Sequence, residues 1–354
     1  MSSISRIVVL SPNWLGDAVM ALPAIDDVRR QFGEARLAVA ARPGLTALFD
    51  RVPGVDEVVR LGGSGRRLGG SRADAAALRE GRFDVAVLLP NSFRAAWIAR
   101  RAGIGQRWGY RGDLRGRLLT RRIRRPGGRL HQAAYYQHLV SELGCANGPL
   151  RPGVAVPDRD RMAGGRLLER GQWPPTAPLI ALAPGAAYGF AKQWPPGHFA
   201  GLARLLAGRG VWCVLVGLPA DRDAGRQVVE AFERLDSGPA LPGRVLNLIG
   251  QTDIGELMGL MTHCAGIVAN DSGAAHLAGA VGVPVVAIFG PTDERVGAPL
   301  PGRTSTATNA VLSHDVFCRP CGFRECPIDH RCMKRIEPAR VFQSAIEQFG
   351  LRDD

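Results

Sequence analysis

Lysine is nearly absent from this sequence: of its 45 basic residues only Lys192 and Lys334 are lysines, and the other 43 are arginines. Such a skew follows genome base composition, so the arginine count says little about binding while each surviving lysine says more. Aromatic residues are also scarce, at 6% against 46% hydrophobic residues and 45 glycines. That balance excludes a disordered chain and fits a globular α/β protein with many strand-to-helix turns. No stretch approaches the roughly 18 uninterrupted apolar residues of a membrane span. The N-terminal MSSISRIVVLSPNW has too short an apolar run for a signal peptide. The expected location is therefore the cytoplasm, the cytoplasmic face of a membrane included. There is no G-x-G-x-x-G after the first strand and no G-x-x-x-x-G-K-[ST] anywhere, which argues against a dinucleotide oxidoreductase and a P-loop nucleotidase.

What is present is positive charge. A formal charge of +13 and a pI near 10.4 imply an acidic partner: nucleic acid, anionic lipid or a phosphorylated substrate. At 354 residues the chain is long enough for two ordinary domains. Its first half alternates strands and helices. Strands are expected at 7–10, 37–41, 57–60 and 85–89, with a helix over 18–32 whose Val19, Leu22, Ile25, Val28 and Phe32 recur at helical spacing. Such alternation predicts parallel strands, and ligands on parallel sheets sit beyond the carboxyl ends of the strands. Asn13 and Asp17 fall at one such end, and Asn91, Ser92 and Arg94 at another. Between Asn91 and His131 there are twelve arginines and one acidic residue, Asp113. This stretch, with Arg66 and Arg67 beside it, reads as a mobile basic rim suited to an acidic ligand. The composition then shifts to Pro, Arg and Gly over 151–178, where a linker is expected.

A second alternating series begins at Leu179, with Lys192 in its first loop. Its most informative stretch is Ile267 to Asp293, a buried strand, a turn, an Ala- and Gly-rich helix over 273–281, and another buried strand. Asn270, Asp271 and Ser272 fall at the turn. Gly273 lets a ligand approach the backbone, and the free amides and dipole of the helix start favour phosphate. His276, four residues after Ser272, lies on the same helix face. Near the C-terminus Cys318, Cys321, Cys326 and Cys332, with His330 among them, are compact enough for a structural zinc site. Packed free thiols fit the same spacing, and Cys145, Cys213 and Cys264 read as small core residues.

Four motifs occur in order along essentially the whole chain: PNWLGDAVM, PGAAYGFAKQWP, NDSGAAHLAGAVGVPVVAIFGPTD and CRPCGFRECPIDHRCM. Together they resemble the lipopolysaccharide heptosyltransferases of glycosyltransferase family 9. The resemblance implies an α/β GT-B fold, two Rossmann-like doubly wound domains facing across a cleft. Residues 1–170 would bind the acceptor and 171–335 ADP-heptose, with the last helix, within 336–354, packing back on the first domain. It also implies an inverting transfer of L-glycero-D-manno-heptose onto the first heptose of heptosyl-Kdo-lipid A, in inner-core biosynthesis. The expected enzyme is cytoplasmic and peripheral to the inner-membrane surface, and nucleic acid is not among its partners. By motif match Asp17 is the base. Lys192, Ser272 and Gly273 take the donor diphosphate, and Asp271 and His276 contact sugar hydroxyls or position neighbours. Asn13, Asn91, Ser92, Arg94 and Arg111 are the acceptor-side candidates. No catalytic metal or other cofactor is required. The family's enzyme for the first heptose usually carries paired threonines before the lysine; Ala187 and Tyr188 stand there in this chain. Two alternatives are another sugar transferase of the same family and, from charge alone, a non-catalytic nucleotide- or nucleic-acid-binding protein.

Overall fold

The structure, a computed structural model, describes residues 4–62, 68–235, 245–306 and 308–351; Arg66 and Arg67 lie outside them. The chain forms two compact units, Met1–Ala155 and Val156–Asp354. In the first unit β1 (Arg6–Leu10), β2 (Arg36–Ala41), β3 (Glu57–Arg60), β4 (Val85–Leu88), β5 (Gln106–Tyr110) and β6 (Arg121–Ile123) pair in the order 3-2-1-4-5-6. Every pairing is parallel. In the second unit β7 (Leu179–Ala183), β8 (Trp212–Leu215), β9 (Val245–Asn247), β10 (Gly266–Asn270), β11 (Val285–Phe289) and β12 (Ala310–Ser313) pair in the order 9-8-7-10-11-12. The two orders are the same pattern, that of a doubly wound nucleotide-binding sheet. Its central strands are the continuous apolar runs expected where helices cover both faces; β1, β7, β10 and β11 are buried almost throughout. In this pattern the strand order reverses between β1 and β4, and again between β7 and β10. The crevice at each reversal, beyond the carboxyl ends, is where such sheets hold ligands.

Several expectations change. The helix expected over 18–32 is two, Leu15–Met20 and Leu22–Gln31, broken at Ala21, where Pro23 removes an amide donor from the opening turn of the second. The arginine-rich stretch is not a mobile rim. It contains helix Phe93–Arg101, β5 and β6, because Ala96, Ile98, Trp108, Tyr110, Leu119 and Ile123 recur among the arginines and are buried. The boundary also lies earlier than 170. Helix Asp158–Arg170, inside the expected linker, belongs to the second unit and packs on helix Ile254–Met261. The last helix, Pro338–Phe349, expected to pack back on the first domain, belongs to the second unit. Its Val341, Phe342, Ala345, Ile346 and Phe349 lie in the core of the second. Gly266 of β10 makes the room, since a Cβ there would stand 2.2 Å from the Phe349 ring. Among the described residues no helix is long and apolar enough to cross a membrane.

The contact between helices Asp158–Arg170 and Ile254–Met261 is backbone on backbone. A Cβ on Gly164 would come within 2.1 Å of the Leu260 amide nitrogen, and one on Gly259 within 1.8 Å of the Asp160 carbonyl oxygen. Neither neighbour is a side chain that can swing away, so an added methyl must separate the helices. Gly164→Ala should lower unfolding stability by about 1–3 kcal/mol or more, the range for overpacking, whereas Gly197→Ala, with open space around its Cβ, should be nearly silent. Thermal melts of the two variants check this; equal melts would mean that the helices yield.

Candidate functional site

In the second unit the site is built around the end of β10. Asn270 is fully buried. Its Oδ1 accepts from the Trp194 amide at 2.9 Å and its Nδ2 donates to the Pro184 carbonyl at 2.8 Å. One side chain thus closes the whole loop that leaves β7. Within that loop the Lys192 Nζ lies 2.6 Å from Asp271 Oδ2, with side-chain exposures of 13% and 10%. The Thr292 hydroxyl donates to the same oxygen at 2.6 Å. The ammonium also stands 4.8 Å from the Tyr188 ring centroid, while the Arg324 guanidinium sits 5.1 Å from that ring. A compact ammonium fits between a carboxylate and an aromatic ring, where a planar guanidinium would need more width.

Ser272 is the N-cap of helix Gly273–Val281, yet its side chain makes no capping bond. Among the described residues its hydroxyl is the one buried side-chain polar atom without a hydrogen-bond partner. A buried hydroxyl beside the amides of a helix start is a seat suited to an anion. His276 is buried one turn further along the helix. The structure therefore gathers Lys192, Asp271, Ser272, Gly273 and His276, but Lys192 and Asp271 are bound to each other. The sequence did not reveal Asn270's bridging, Thr292, Arg324 or Asp221. The Asp221 carboxyl is pushed up by burial, and it packs so close to Gly185 that a Cβ there would fall 2.1 Å from its carboxyl carbon.

The four cysteines sit in a segment that meets the loop carrying Lys192. All are free, and among the described residues no three His, Cys, Asp or Glu side chains come together to hold a metal. Burial, and then its cysteine neighbours, push the Cys332 thiol up. His330 Nε2 donates to the Ala191 carbonyl at 2.8 Å, the Ala191 amide to the Arg324 carbonyl at 2.9 Å, and the Tyr188 hydroxyl to the Gly322 carbonyl at 2.7 Å. Arg319 Nε donates to the Gly290 carbonyl at 2.6 Å and its Nη2 pairs with Glu294 at 2.7 Å. The segment straps the loops that carry Lys192 and Thr292. Cys145 and Cys213 are buried core residues, as expected.

In the first unit Asp17 lies in the first turn of helix Leu15–Met20, whose N-cap is Trp14. It is thus not the cap. The Tyr136 hydroxyl donates to Asp17 Oδ1 at 3.3 Å. Burial, and next the Asp17 charge, hold the Tyr136 phenol well above its usual range, so it stays a donor. A cavity of about 500 Å³ opens at the carboxyl ends of β1, β2 and β4, and neither Asp17 nor Tyr136 lines it. Asn13, Ser92 and Arg94 line it, with Ser11, Arg42 and Asp74. Arg94 is tied to the buried Asp74 at 2.7 Å, and Ser92 caps helix Phe93–Arg101. Asn91 and Arg111 do not line it: the Asn91 side chain spans Tyr135 and Arg115, and Arg111 points to solvent. Tyr136, Asp74 and Arg115 carried no signal in the sequence, because what defines them is a partner from another element.

Two doubly wound sheets, each with polar residues converging at its reversal of strand order, make this a GT-B glycosyltransferase. Residues 72–330 match the family described as "Glycosyltransferase family 9 (heptosyltransferase)", and the chain belongs to that family. The chain is 33% identical over 302 residues to lipopolysaccharide heptosyltransferase 2 of Salmonella typhimurium, covering 83% of this chain and 85% of that one. It is 31% identical over 303 residues to the Escherichia coli protein of the same name, with the same coverage. The solved structure of E. coli ADP-heptose lps heptosyltransferase II superposes with a TM-score of 0.81 at 27% identity, covering 98% of this chain and 99% of that one.

The Lys192–Asp271 pair fixes what a test of the lysine must control for. Removing one member of a nearly buried pair leaves an uncompensated charge, at a cost of about 3–5 kcal/mol. Lys192→Met should therefore lower the melting temperature, and adding Asp271→Asn to it should recover most of the loss. A double variant as unstable as the single would show that the pair is not what holds the loop.

Proposed function

We propose that this chain transfers L-glycero-D-manno-heptose from ADP-heptose to the first heptose of heptosyl-Kdo-lipid A, with inversion, at the cytoplasmic face of the inner membrane. The observation that carries the donor reading is the unpartnered, buried Ser272 hydroxyl beside the free amides of its helix. ADP leaves with two phosphates of negative charge, and that seat, with the remaining N–H groups of Lys192, stabilises it. Because Asp271 already neutralises the lysine, the helix amides carry more of the diphosphate charge than lysine alone would. Asp271 receives from Lys192 and Thr292, and so serves to position them.

The acceptor hydroxyl forms the new bond to the anomeric carbon while the bond from that carbon to the phosphate oxygen breaks. The hydroxyl proton passes to the Asp17 carboxylate, and the electron pair leaves with ADP. Tyr136, donating to Asp17 Oδ1, orients the carboxylate. The cavity at the carboxyl ends of β1, β2 and β4, with Asn13, Ser92 and Arg42 at its wall and Arg94 held by Asp74, suits a hydroxyl-rich, acidic sugar. The exposed arginines of 111–129 suit the phosphates of the same acceptor. No metal enters these steps.

Asp17→Asn keeps the size of the side chain, and the helix does not use Asp17 as its cap. It should leave the melting temperature and ADP-heptose affinity nearly unchanged and lower kcat roughly 10²-fold or more, the scale of a general base. Product mass from ADP-heptose and heptosyl-Kdo-lipid A is the readout. Transfer by Asp17→Asn within a few-fold of the parent rate would end the catalytic assignment.

A further inference from the structure

Just beyond β5 the usual relation of side chain to solvent is inverted: Arg115 is fully buried while its neighbour Leu114 is 94% exposed. Gly112, Asp113 and Leu114 have φ of 132°, 48° and 57°, a left-handed region that leucine enters only against steric resistance. Such backbone persists where its surroundings over-determine it. Here the determinant is Arg115. Its Nε donates to the Tyr110 carbonyl at 2.9 Å and its Nη2 to Asn91 Oδ1 at 3.1 Å, and Nη1 reaches the Pro90 carbonyl. An arginine locked inside by three oxygens leaves the preceding leucine no course but outward.

The surroundings of Leu114 are one-sided in charge. Arg111 and Arg117 between β5 and β6, Arg122 on β6 itself, and Arg124 and Arg129 after it are all exposed, and Asp113 is the one acidic residue in the stretch. Arg125 pairs with Asp113 at 2.7 Å, tying the second loop to the first. β5 and β6 run parallel with Tyr110 opposite Ile123, and β6 is the sheet's edge. Both loops therefore leave the same corner of the unit, and the second carries another exposed leucine, Leu130.

We propose that this corner is the seat for an anionic bilayer, the arginines meeting lipid phosphates and Leu114 entering the boundary between headgroups and chains. The proposal deepens the reading of a membrane-held acceptor and rests on it. Charge complementarity favours a lipid surface. A soluble sugar phosphate or a nucleic acid would match the arginines but give the leucine nothing to enter, whereas a bilayer offers both. A second copy of a chain with net charge +13 would bring repulsion to an arginine-lined face.

The test is sedimentation of the full chain with vesicles of phosphatidylcholine alone and of phosphatidylcholine with phosphatidylglycerol. Binding is expected only to the anionic vesicles, falling with added salt. Leu114→Asn should weaken it on the order of tenfold, the scale of one leucine's burial. Asparagine tolerates the left-handed region, so the melting temperature should hold or rise. Arg117→Gln with Arg124→Gln should weaken binding roughly fivefold for each charge. Transfer to a delipidated, water-soluble acceptor should be unchanged in Leu114→Asn. Equal sedimentation with both vesicle types, or anionic binding untouched by Leu114→Asn, overturns the proposal. So does an oligomer, seen by gel filtration, that Leu114→Asn dissolves. Vesicle binding by a chain that moves no heptose to the soluble acceptor would instead fail the enzymatic reading and leave this one standing.

Discussion

The second unit depends on one amide. Asn270 ends β10, and its side chain satisfies a buried amide at Trp194 and a buried carbonyl at Pro184. Both would otherwise be orphaned, at about 1–3 kcal/mol each. Because Trp194 is itself buried and hydrogen-bonded to the Ile336 carbonyl, the loop is pinned at both ends. The 2.6 Å approach of Lys192 to Asp271 follows from that pinning: one residue stands two before the tryptophan and the other one after the asparagine. Arg115 does a similar service in the first unit, fixing the ends of β4 and β5 through bonds to Pro90, Asn91 and Tyr110.

The cysteine-bearing segment acts on the site through atoms other than its thiols. His330 donates to the Ala191 carbonyl, Arg319 to the Gly290 carbonyl, and the Gly322 carbonyl accepts from Tyr188. What the segment orders is the loop of the one lysine with a role in the site.

The chain's legibility followed the range of the interactions. Continuous apolar runs gave the central strands, and the rule that ligands lie beyond carboxyl ends placed Asp17, Lys192 and Ser272 correctly at their turns. Local composition misled where it was judged alone. Arginine suggested a mobile rim although buried apolar residues recur through 95–110 and again over 118–123, and Pro and Gly suggested a linker where two glycines let helices touch. Tyr136, 119 residues from Asp17 in the chain, and Phe349, seated on Gly266, belong to contacts that no local pattern announces.

The strapping of the Lys192 loop also bears on how affinity arises. A lysine free in solution holds nearly 2 kcal/mol of rotamer entropy, and an ordered loop has surrendered a further amount for each residue. Here those losses are incurred on folding, by Asn270, Trp194 and the segment after Val316, before any nucleotide arrives. A receptor already in its bound shape is expected to capture and release ligand without waiting on a loop. The residence time of any ligand held there then answers to the strength of its contacts.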